Sequence, residues 1–347
     1  MKNPLVSIII ITHNSSGYIK GLLGSLSKIS YKPVEIIIWD NDSTDNTRKL
    51  ISLYKNQRIR LILSKKNLGF AEANNRAFKN AKGKFVLLLN PDTVVKSNFL
   101  EKLVERAEND KKIAAVQPLV YLMKNKNVIN LTGKVTQFLG FDWIRDYKKR
   151  EPCEAGEITS FSGSGVLIKR EILRKIGFFD GHYFMYQEDT DLSWRMRLYG
   201  YKVYFEPGSV IYHDYKYIPK ENYLSLKNKF KYYERNRLIT VYKNYSTRSL
   251  ALLLPALIII EVLMLVFALL KGWFGEKILG YAYLYNNFGH FSKERYLIQQ
   301  KRIKSDKEMI EKFESGLLFE EFNIWPVKYF VNPTLSLYFG AIRRLFF

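Results

Sequence analysis

Four stretches place carboxylates, amides and hydroxyls directly after apolar runs: Thr12-His13-Asn14-Ser15-Ser16-Gly17, Asp40-Asn41-Asp42-Ser43-Thr44-Asp45-Asn46-Thr47, Asn67-Leu68-Gly69-Phe70 and Asn90-Pro91-Asp92-Thr93. Such side chains hold a polar ligand by hydrogen bonds. Asp, Asn and Ser also cap helices and make turns, so Asp45 reads equally as an N-cap and as a ligand contact. That explanation is weaker for Asp40 and Asp92, which follow buried runs. Glu188-Asp189-Thr190-Asp191 sets three carboxylates within four residues. At a helix start they are either favourable charge at the positive end of the macrodipole or a reacting group. Ser162-Gly163-Ser164-Gly165 is either a bulged strand or a backbone open to close approach. His213, one of 4 histidines, is either structural or a ligand residue.

The elements that would position these residues alternate. Leu5–Thr12 is an Ile-rich run suited to a strand buried on both faces, and Val34–Asp40 is a second. Arg60–Leu63, Lys84–Asn90 and Ala114–Leu119 read as further strands. Gly17–Lys28, Asp45–Tyr54, Phe70–Lys79 and Ser97–Asn109 read as helices, the last with Ser97 as N-cap. This alternation predicts an α/β fold with a parallel sheet covered by helices on both faces. In such a sheet ligands bind beyond the carboxyl ends of the strands, where all four polar stretches fall. After a looser Lys-, Asn- and aromatic-rich stretch from about 120 to 160, Ser160–Lys169 restores a strand. Glu188–Leu198 then reads as a helix, and Lys202–Phe205 and Ser209–Tyr212 as short strands.

Beyond residue 216 the composition changes. Lys216–Arg248 holds nine Lys/Arg and six Tyr, against only Glu221 and Glu234 as acids. Leu250–Leu270 follows, 21 residues interrupted only by Pro255 and Glu261. A helix of that length crosses about 30 Å of hydrocarbon. A mid-membrane carboxylate costs about 2.5 kcal/mol or more unless protonated or paired, so Glu261 opposes a simple crossing. The tail stays basic and aromatic, so a re-entrant or interface-lying segment competes with a span, and a buried core helix is the third reading.

The chain's 347 residues carry 55 Lys+Arg against 33 Asp+Glu, a net charge of +22, with 47% hydrophobic residues. The apolar content excludes wholesale disorder. One cysteine, Cys153, excludes an internal disulfide and a Cys-based zinc site. The opening Met1-Lys2-Asn3-Pro4 and short apolar run do not read as a signal peptide, which predicts a cytoplasmic first part. The charge calls for nucleic acid, an anionic membrane or a phosphorylated substrate.

The ordered motifs VSIIIITHN, WDNDSTDNT, NLGFAEANN, LLLNPDT and EDTDLSWR resemble the family-2 glycosyltransferases with a GT-A fold. The subgroup they are most similar to contains rhamnosyltransferases and related cell-surface polysaccharide enzymes. The resemblance runs from about Leu5 to Arg237, and more loosely through the apolar segment. It implies a nucleotide-diphosphate sugar donor. Asp40 would accept hydrogen bonds from the nucleobase, Thr12 and Asn14 would line its pocket, and Asp42 would reach ribose or base, with Asn67 and Gly69 beside them. The family's Asp-x-Asp element, which holds a divalent cation, is here Asn90-Pro91-Asp92. One carboxylate can suffice for Mg²⁺ when phosphate oxygens complete the shell, and Mg²⁺ against Mn²⁺ stays open. The resemblance also suggests His213 as a metal- or diphosphate-contacting residue.

The family's catalytic base falls on Asp189. An inverting transfer needs one base opposite the leaving diphosphate to take the acceptor's proton. Glu188 and Asp191 would serve the acceptor side. Trp194 offers a ring for a sugar or packs in the core, and Arg195 suits a diphosphate. The implied organisation is a catalytic domain, 1–245, and a membrane-associating helical region, 246–347. Its acceptor would be a lipid-linked saccharide and its place the cytoplasmic face of the cell membrane, held to the anionic surface by the basic tract and by Trp325, Tyr329, Phe330, Tyr338 and Phe339. Oligomeric state stays open.

Three rivals carry less. A nucleic-acid-binding protein would explain the charge, but the basic density adjoins the apolar run and no nucleic-acid-binding signature is present, so no nucleic acid is expected. A nucleotidyltransferase would need a Gly-rich phosphate loop where THNSSG stands. A polyprenyl-phosphate monosaccharide synthase of the same fold is the nearest alternative. A processive polysaccharide synthase is disfavoured by the missing Gln-x-x-Arg-Trp motif and multiple spans.

Overall fold

The computed structural model describes residues 3–54, 59–215, 223–318 and 324–345. Among them the order is β1 (Val6–Thr12), α1 (Ile19–Leu26), β2 (Val34–Asp40), α2 (Thr47–Ser52), β3 (Ile59–Leu63), α3 (Gly69–Phe78), β4 (Phe85–Leu89), β5 (Thr93–Val95), α4 (Phe99–Asn109), β6 (Ile113–Leu122), β7 (Ile129–Leu131), β8 (Lys134–Thr136), β9 (Asp142–Ile144), β10 (Gly156–Ile158), β11 (Gly165–Lys169), α5 (Arg170–Ile176), α6 (Glu188–Leu198) and β12 (Lys202–His213). Helices follow: α7 (Tyr223–Asn244), α8 (Thr247–Leu270), α9 (Phe274–Asn286), α10 (Phe288–Lys301), α11 (Asp306–Ile310) and α12 (Asn332–Leu345).

The main sheet runs β10-β12-β6-β11-β4-β1-β2-β3, with β5 paired to β12 and β7 to β6. Its centre is apolar on both faces: Ile8, Ile9 and Ile10 of β1 and Leu87 and Leu88 of β4 are all buried. That two-sided burial is why these strands read as unbroken hydrophobic runs. The sheet is mixed rather than uniformly parallel. β3, β2, β1, β4, β6 and β12 share one direction, and β11 is reversed between β4 and β6. The reversal brings Gly165, the start of β11, beside Leu89, the end of β4. One sheet edge therefore gathers the ends of β1, β2, β4 and β12 with the start of β11.

Two local expectations change. Lys202–His213 is one strand with a register shift between Glu206 and Val210, because Pro207-Gly208 bulges the ladder without ending it. Helix α4 starts at Phe99 rather than from a Ser97 cap: Asn98 occupies the cap position, and the Ser97 carbonyl instead accepts from Ser30. Of the basic tract, residues 216–222 lie outside the described residues, and the remainder forms α7 and the turn into α8.

The chain divides into two compact units: residues 1–134, 144–192 and 201–216, and residues 135–143, 193–200 and 217–347. The expected boundary at residue 245 falls inside the second unit. That unit has its own core, in which Trp194 meets Tyr245 and Phe313 edge-on, each at 4.9 Å between ring centroids. Helix α8 is the one described helix long and apolar enough to cross a membrane by length and composition.

Candidate active site

The ends of β1 and β2 are knitted together by their own polar side chains. Asp40 is fully buried. Its Oδ1 accepts the Thr12 hydroxyl at 3.1 Å, and its Oδ2 accepts the Ser43 amide at 3.1 Å and Arg48 Nε at 2.6 Å. Burial alone would raise this carboxyl, but the hydrogen bonds from Ser43 and Arg48 and the Arg48 charge outweigh it and hold Asp40 below the ordinary carboxylate range. Asp42 is half-buried, in the left-handed region at φ 67°, with Arg48 Nη2 3.6 Å away. Asn14, also left-handed at φ 49°, accepts the Thr44 amide at 2.8 Å while its own amide donates to Ser43 Oγ at 3.0 Å. Asp45 accepts the Thr47 amide at 3.0 Å and the Ser16 amide at 3.0 Å. The cap position of α2 is Asn46; Asp45, one residue before it, ties the helix start to the β1 loop.

Asn41 extends the network to the next turn. Its Nδ2 donates to Asn67 Oδ1 at 2.8 Å, and its Oδ1 accepts the Leu68 amide at 2.9 Å. Gly69 follows at φ 75°, and a Cβ there would lie 2.4 Å from the Phe184 carbonyl oxygen, so only glycine fits. The segment it abuts is strained: Phe184, Tyr186 and Gln187 all have φ between 62° and 69°. It leads directly into Glu188 and Asp189 of α6.

Asp189 is buried, and its two oxygens are held from different elements. Oδ1 accepts Lys134 Nζ at 2.7 Å and the Thr190 amide at 2.8 Å; Oδ2 accepts the Gly163 amide at 3.1 Å. At Gly163 a Cβ would meet the Phe70 ring at 2.9 Å, so a larger residue would have to displace that ring. Ser162 and Ser164 share a 3.0 Å hydrogen bond, and the Ser164 carbonyl accepts the Asn90 amide at 3.0 Å. The Ser162–Gly165 segment is thus the seam between Asp189 and the end of β4. Glu188 and Asp191 are buried beside it.

Asp92 and His213 meet across the β5–β12 pairing. His213 Nε2 lies 3.2 Å from Asp92 Oδ1, and His213 Nδ1 lies 2.9 Å from Asn130 Oδ1. An amide oxygen only accepts, so Nδ1 donates to Asn130 and the second ring nitrogen faces the carboxylate. Asp92 Oδ1 is buried without a hydrogen-bond donor. Only a proton on Nε2 or a cation satisfies both atoms, so one carboxylate and one imidazole oriented by Asn130 fit a divalent cation.

The first unit therefore assembles Thr12, Asn14, Asp40, Asp42, Asn67, Gly69, Asn90, Asp92, Glu188, Asp189, Asp191 and His213 along or beside one sheet edge. Trp194 and Arg195 are different. Both are buried and counted with the second unit, and the Trp194 ring is enclosed by Tyr245 and Phe313. Its place is the core, the alternative the sequence left open. Lys134, Arg48, Asn41 and Asn130 are the residues sequence reading missed. Asn41 stood inside a motif, and Arg48 fell on a helix face. Lys134 and Asn130 sat in the loose stretch after residue 120, where no pattern singled them out.

Comparison with known proteins agrees with this architecture. Residues 7–177 match the family model Glycosyl transferase family 2. Over those residues the chain is similar to that family. Over 208 residues it is 29% identical to the poly-beta-1,6-N-acetyl-D-glucosamine synthase of Staphylococcus epidermidis, covering 59% of this chain and 48% of that protein. The chain thus spans about half the length of the curated relatives it matches. Among solved structures, GalNAc-T7 with UDP, GalNAc and Mn²⁺ superposes with a TM-score of 0.57 at 17% identity, over 71% of this chain and 49% of that one. The mannosyltransferase PcManGT of Pyrobaculum calidifontis, in complex with GDP-Man and Mn²⁺, superposes with a TM-score of 0.50 at 15% identity, over 99% and 83%. At that identity the two structures establish the GT-A fold and nothing finer. The curated relatives are named as synthases of a polysaccharide, the class that the sequence reading disfavoured.

Proposed function

We propose that this glycosyltransferase domain moves a sugar from a nucleotide-diphosphate donor to a hydroxyl of a lipid-linked saccharide acceptor, with inversion at the anomeric carbon, in cell-surface polysaccharide synthesis. The observation that carries the reading is Asp189, a buried carboxylate held on both oxygens beside the edge where Asp92 and His213 converge. Asp189 takes the proton of the acceptor hydroxyl as its oxygen attacks the anomeric carbon, and the donor's diphosphate leaves. Lys134 and the Gly163 amide fix the carboxylate's position. Glu188 and Asp191 belong to the acceptor side.

The donor's nucleotide belongs at the β1 and β2 ends, with Thr12, Asn14, Asn67 and Gly69 shaping the pocket. Asp40 acts there by ordering Thr12, Ser43 and Arg48, and Asp42 is the carboxylate at the open rim. Asp92 and His213 would hold a divalent cation, which when bound neutralises charge on the diphosphate. The division of labour runs between a catalytic part, 1–245, and a membrane-associating part, 246–347, at the cytoplasmic membrane face.

A donor panel tests this. The relatives' names put nucleotide-activated N-acetylglucosamine first, beside GDP-sugars and the dTDP-deoxysugars of the rhamnosyltransferase reading. A cognate donor at about 100 times its Kd should stabilise the fold by about 2.7 kcal/mol. No thermal shift with any donor, with or without Mg²⁺ or Mn²⁺, overturns the reading.

A further inference from the structure

Helix α8 has two unlike faces. Ser249, Leu253, Ala256, Ile260, Met264 and Ala268 are buried in a stripe from its first turn to its last. On the other side Leu254, Ile258, Ile259, Val262, Leu263, Val266, Leu269 and Leu270 are 43–77% exposed. That is a longer apolar strip than a soluble monomer ordinarily leaves in water. Phe274, Ile278 and Leu279 of α9 add to it, each at least 40% exposed.

Helix α8 is not free to sink into a bilayer on all sides, because side chains of α7, α9 and α11 are tied to it; at its start Ser249 donates to Asp306 of α11. Arg237 of α7 pairs with Glu261 of α8. Nearer the far end, Phe230 of α7 meets Phe267 at 6.2 Å and stacks on Trp273 at 5.0 Å. Helix α7 carries Lys227, Lys229, Lys231, Glu234, Arg235, Arg237 and Lys243 within its 22 residues. Each such charge at a bilayer centre costs about 2.5–3.5 kcal/mol even on the mildest scale. Glu261 is further tied to Lys277 at 2.7 Å and to the Tyr281 hydroxyl at 2.6 Å, and Lys277 reaches Glu234 at 3.0 Å. A crossing α8 would have to carry Arg237, Glu234 and Lys277 into hydrocarbon with it or break this network.

We propose that α8 lies in the plane of an anionic bilayer, its exposed face in the headgroup–acyl boundary and both of its ends on the same side. Exposed cations mark its two ends. At the start, Arg248 donates to the Leu345 carbonyl at 3.1 Å, which brings the exposed Arg343 and Arg344 of α12 to the same end. At the other end stands exposed Lys271. An apolar face with a cationic rim matches acidic headgroups over an acyl layer. This inference rests on the membrane association proposed above and decides its geometry.

The test uses the full chain with Cys153→Ser and one new thiol, at Arg248→Cys or Lys271→Cys. A membrane-impermeant maleimide is applied to inside-out and right-side-out vesicles of the host membrane. Both thiols should react in the same vesicle orientation and neither in the other; reaction from opposite sides overturns the in-plane helix and leaves membrane association intact. A fluorophore on Val262→Cys, mid-helix and outward, should be quenched by lipids labelled near the headgroup more than by lipids labelled at the acyl terminus. The reverse order also overturns it. In co-sedimentation, phosphatidylglycerol vesicles should retain the protein better than phosphatidylcholine vesicles, with retention falling as salt rises. Failure to sediment with either, with a dimer in solution, overturns the membrane reading itself and assigns the face to a second copy.

Discussion

The sheet edge of the first unit and the charge network joining α7, α8 and α9 in the second both bury charge, and they settle it differently. In the helical network two carboxylates, Glu234 and Glu261, close on two cations, Arg237 and Lys277, so that the charges balance. At the sheet edge each carboxylate is met piecemeal by backbone amides and a single cation: Asp40 by Ser43 and Arg48, Asp189 by Gly163 and Lys134. Asp92 Oδ1 has only the imidazole nitrogen of His213 before it. A closed network is architecture, because any ligand charge would unbalance it. An edge left partly unsettled is where an incoming charge is accommodated.

The largest expected effect breaks the edge at its proposed base, Asp189. Asp189→Asn should keep the fold and the donor affinity but lower transfer by about 10²–10⁴-fold, the usual scale for a general base. Lys134→Met should lower kcat by a smaller factor, about tenfold, since a hydrogen bond to a charged group contributes about 1.5–3 kcal/mol. Donor Kd should not move. NMR of the wild-type product should show the inverted anomer. Full activity in Asp189→Asn would make the carboxylate cluster a helix-start feature and nothing more.

The matching change in the helical network should act on stability. Arg237→Met leaves Glu234 and Glu261 with Lys277 alone, and breaking a buried pair typically costs about 3–5 kcal/mol. Urea unfolding of the full chain in detergent should show that loss, with donor binding per folded molecule unchanged. If donor affinity fell and stability held, the contrast between closed and open networks would be wrong.

How far the sequence foretold each region follows from the range of its interactions. Strand β2 and helix α6 have the expected bounds, Val34–Asp40 and Glu188–Leu198, because a two-sided buried strand and a helix after turn chemistry write themselves locally. The polar edge was legible for the same reason: every strand end announces itself where the apolar run stops. Lys134 was not, since its partner Asp189 lies 55 residues on and nothing local marks it. Helix α7 was read only as a basic tract, because its Lys- and Tyr-rich sequence shows no single apolar stripe. Glu261 looked like a defect in a span until Arg237, 24 residues earlier, supplied its partner.

A smaller effect should come from the cation ligands. Asp92→Ala and His213→Ala should each weaken donor affinity and abolish the gain from added Mg²⁺ or Mn²⁺, on the order of tenfold to a hundredfold, the scale of perturbed metal sites. Asn130→Leu, which frees the imidazole to turn, should give part of that loss. Calorimetry with donor, with and without EDTA, reads all three. A metal response retained in both Asp92→Ala and His213→Ala would detach the pair from the donor.

The smallest effect concerns Asp40, where the edge most resembles the closed network. Its folded pKa is lowered, because the bonds from Ser43 and Arg48 outweigh burial. A group depressed on folding contributes stability that is present above its unfolded value, about 3.9, and is lost as pH falls through the folded one. Asp40→Asn removes the charge opposite Arg48 and turns an amide donor toward either Arg48 or Thr12, so it should lower Tm at pH 7. As pH falls below about 4 the wild type begins to lose the same interaction, and the gap between the two Tm values should narrow. Arg48→Met should show a similar narrowing, since it removes the other half of the pair. A gap that stays constant from pH 7 to acid would mean that Asp40 contributes shape rather than charge, and that the edge and the helical network differ less than their geometry implies.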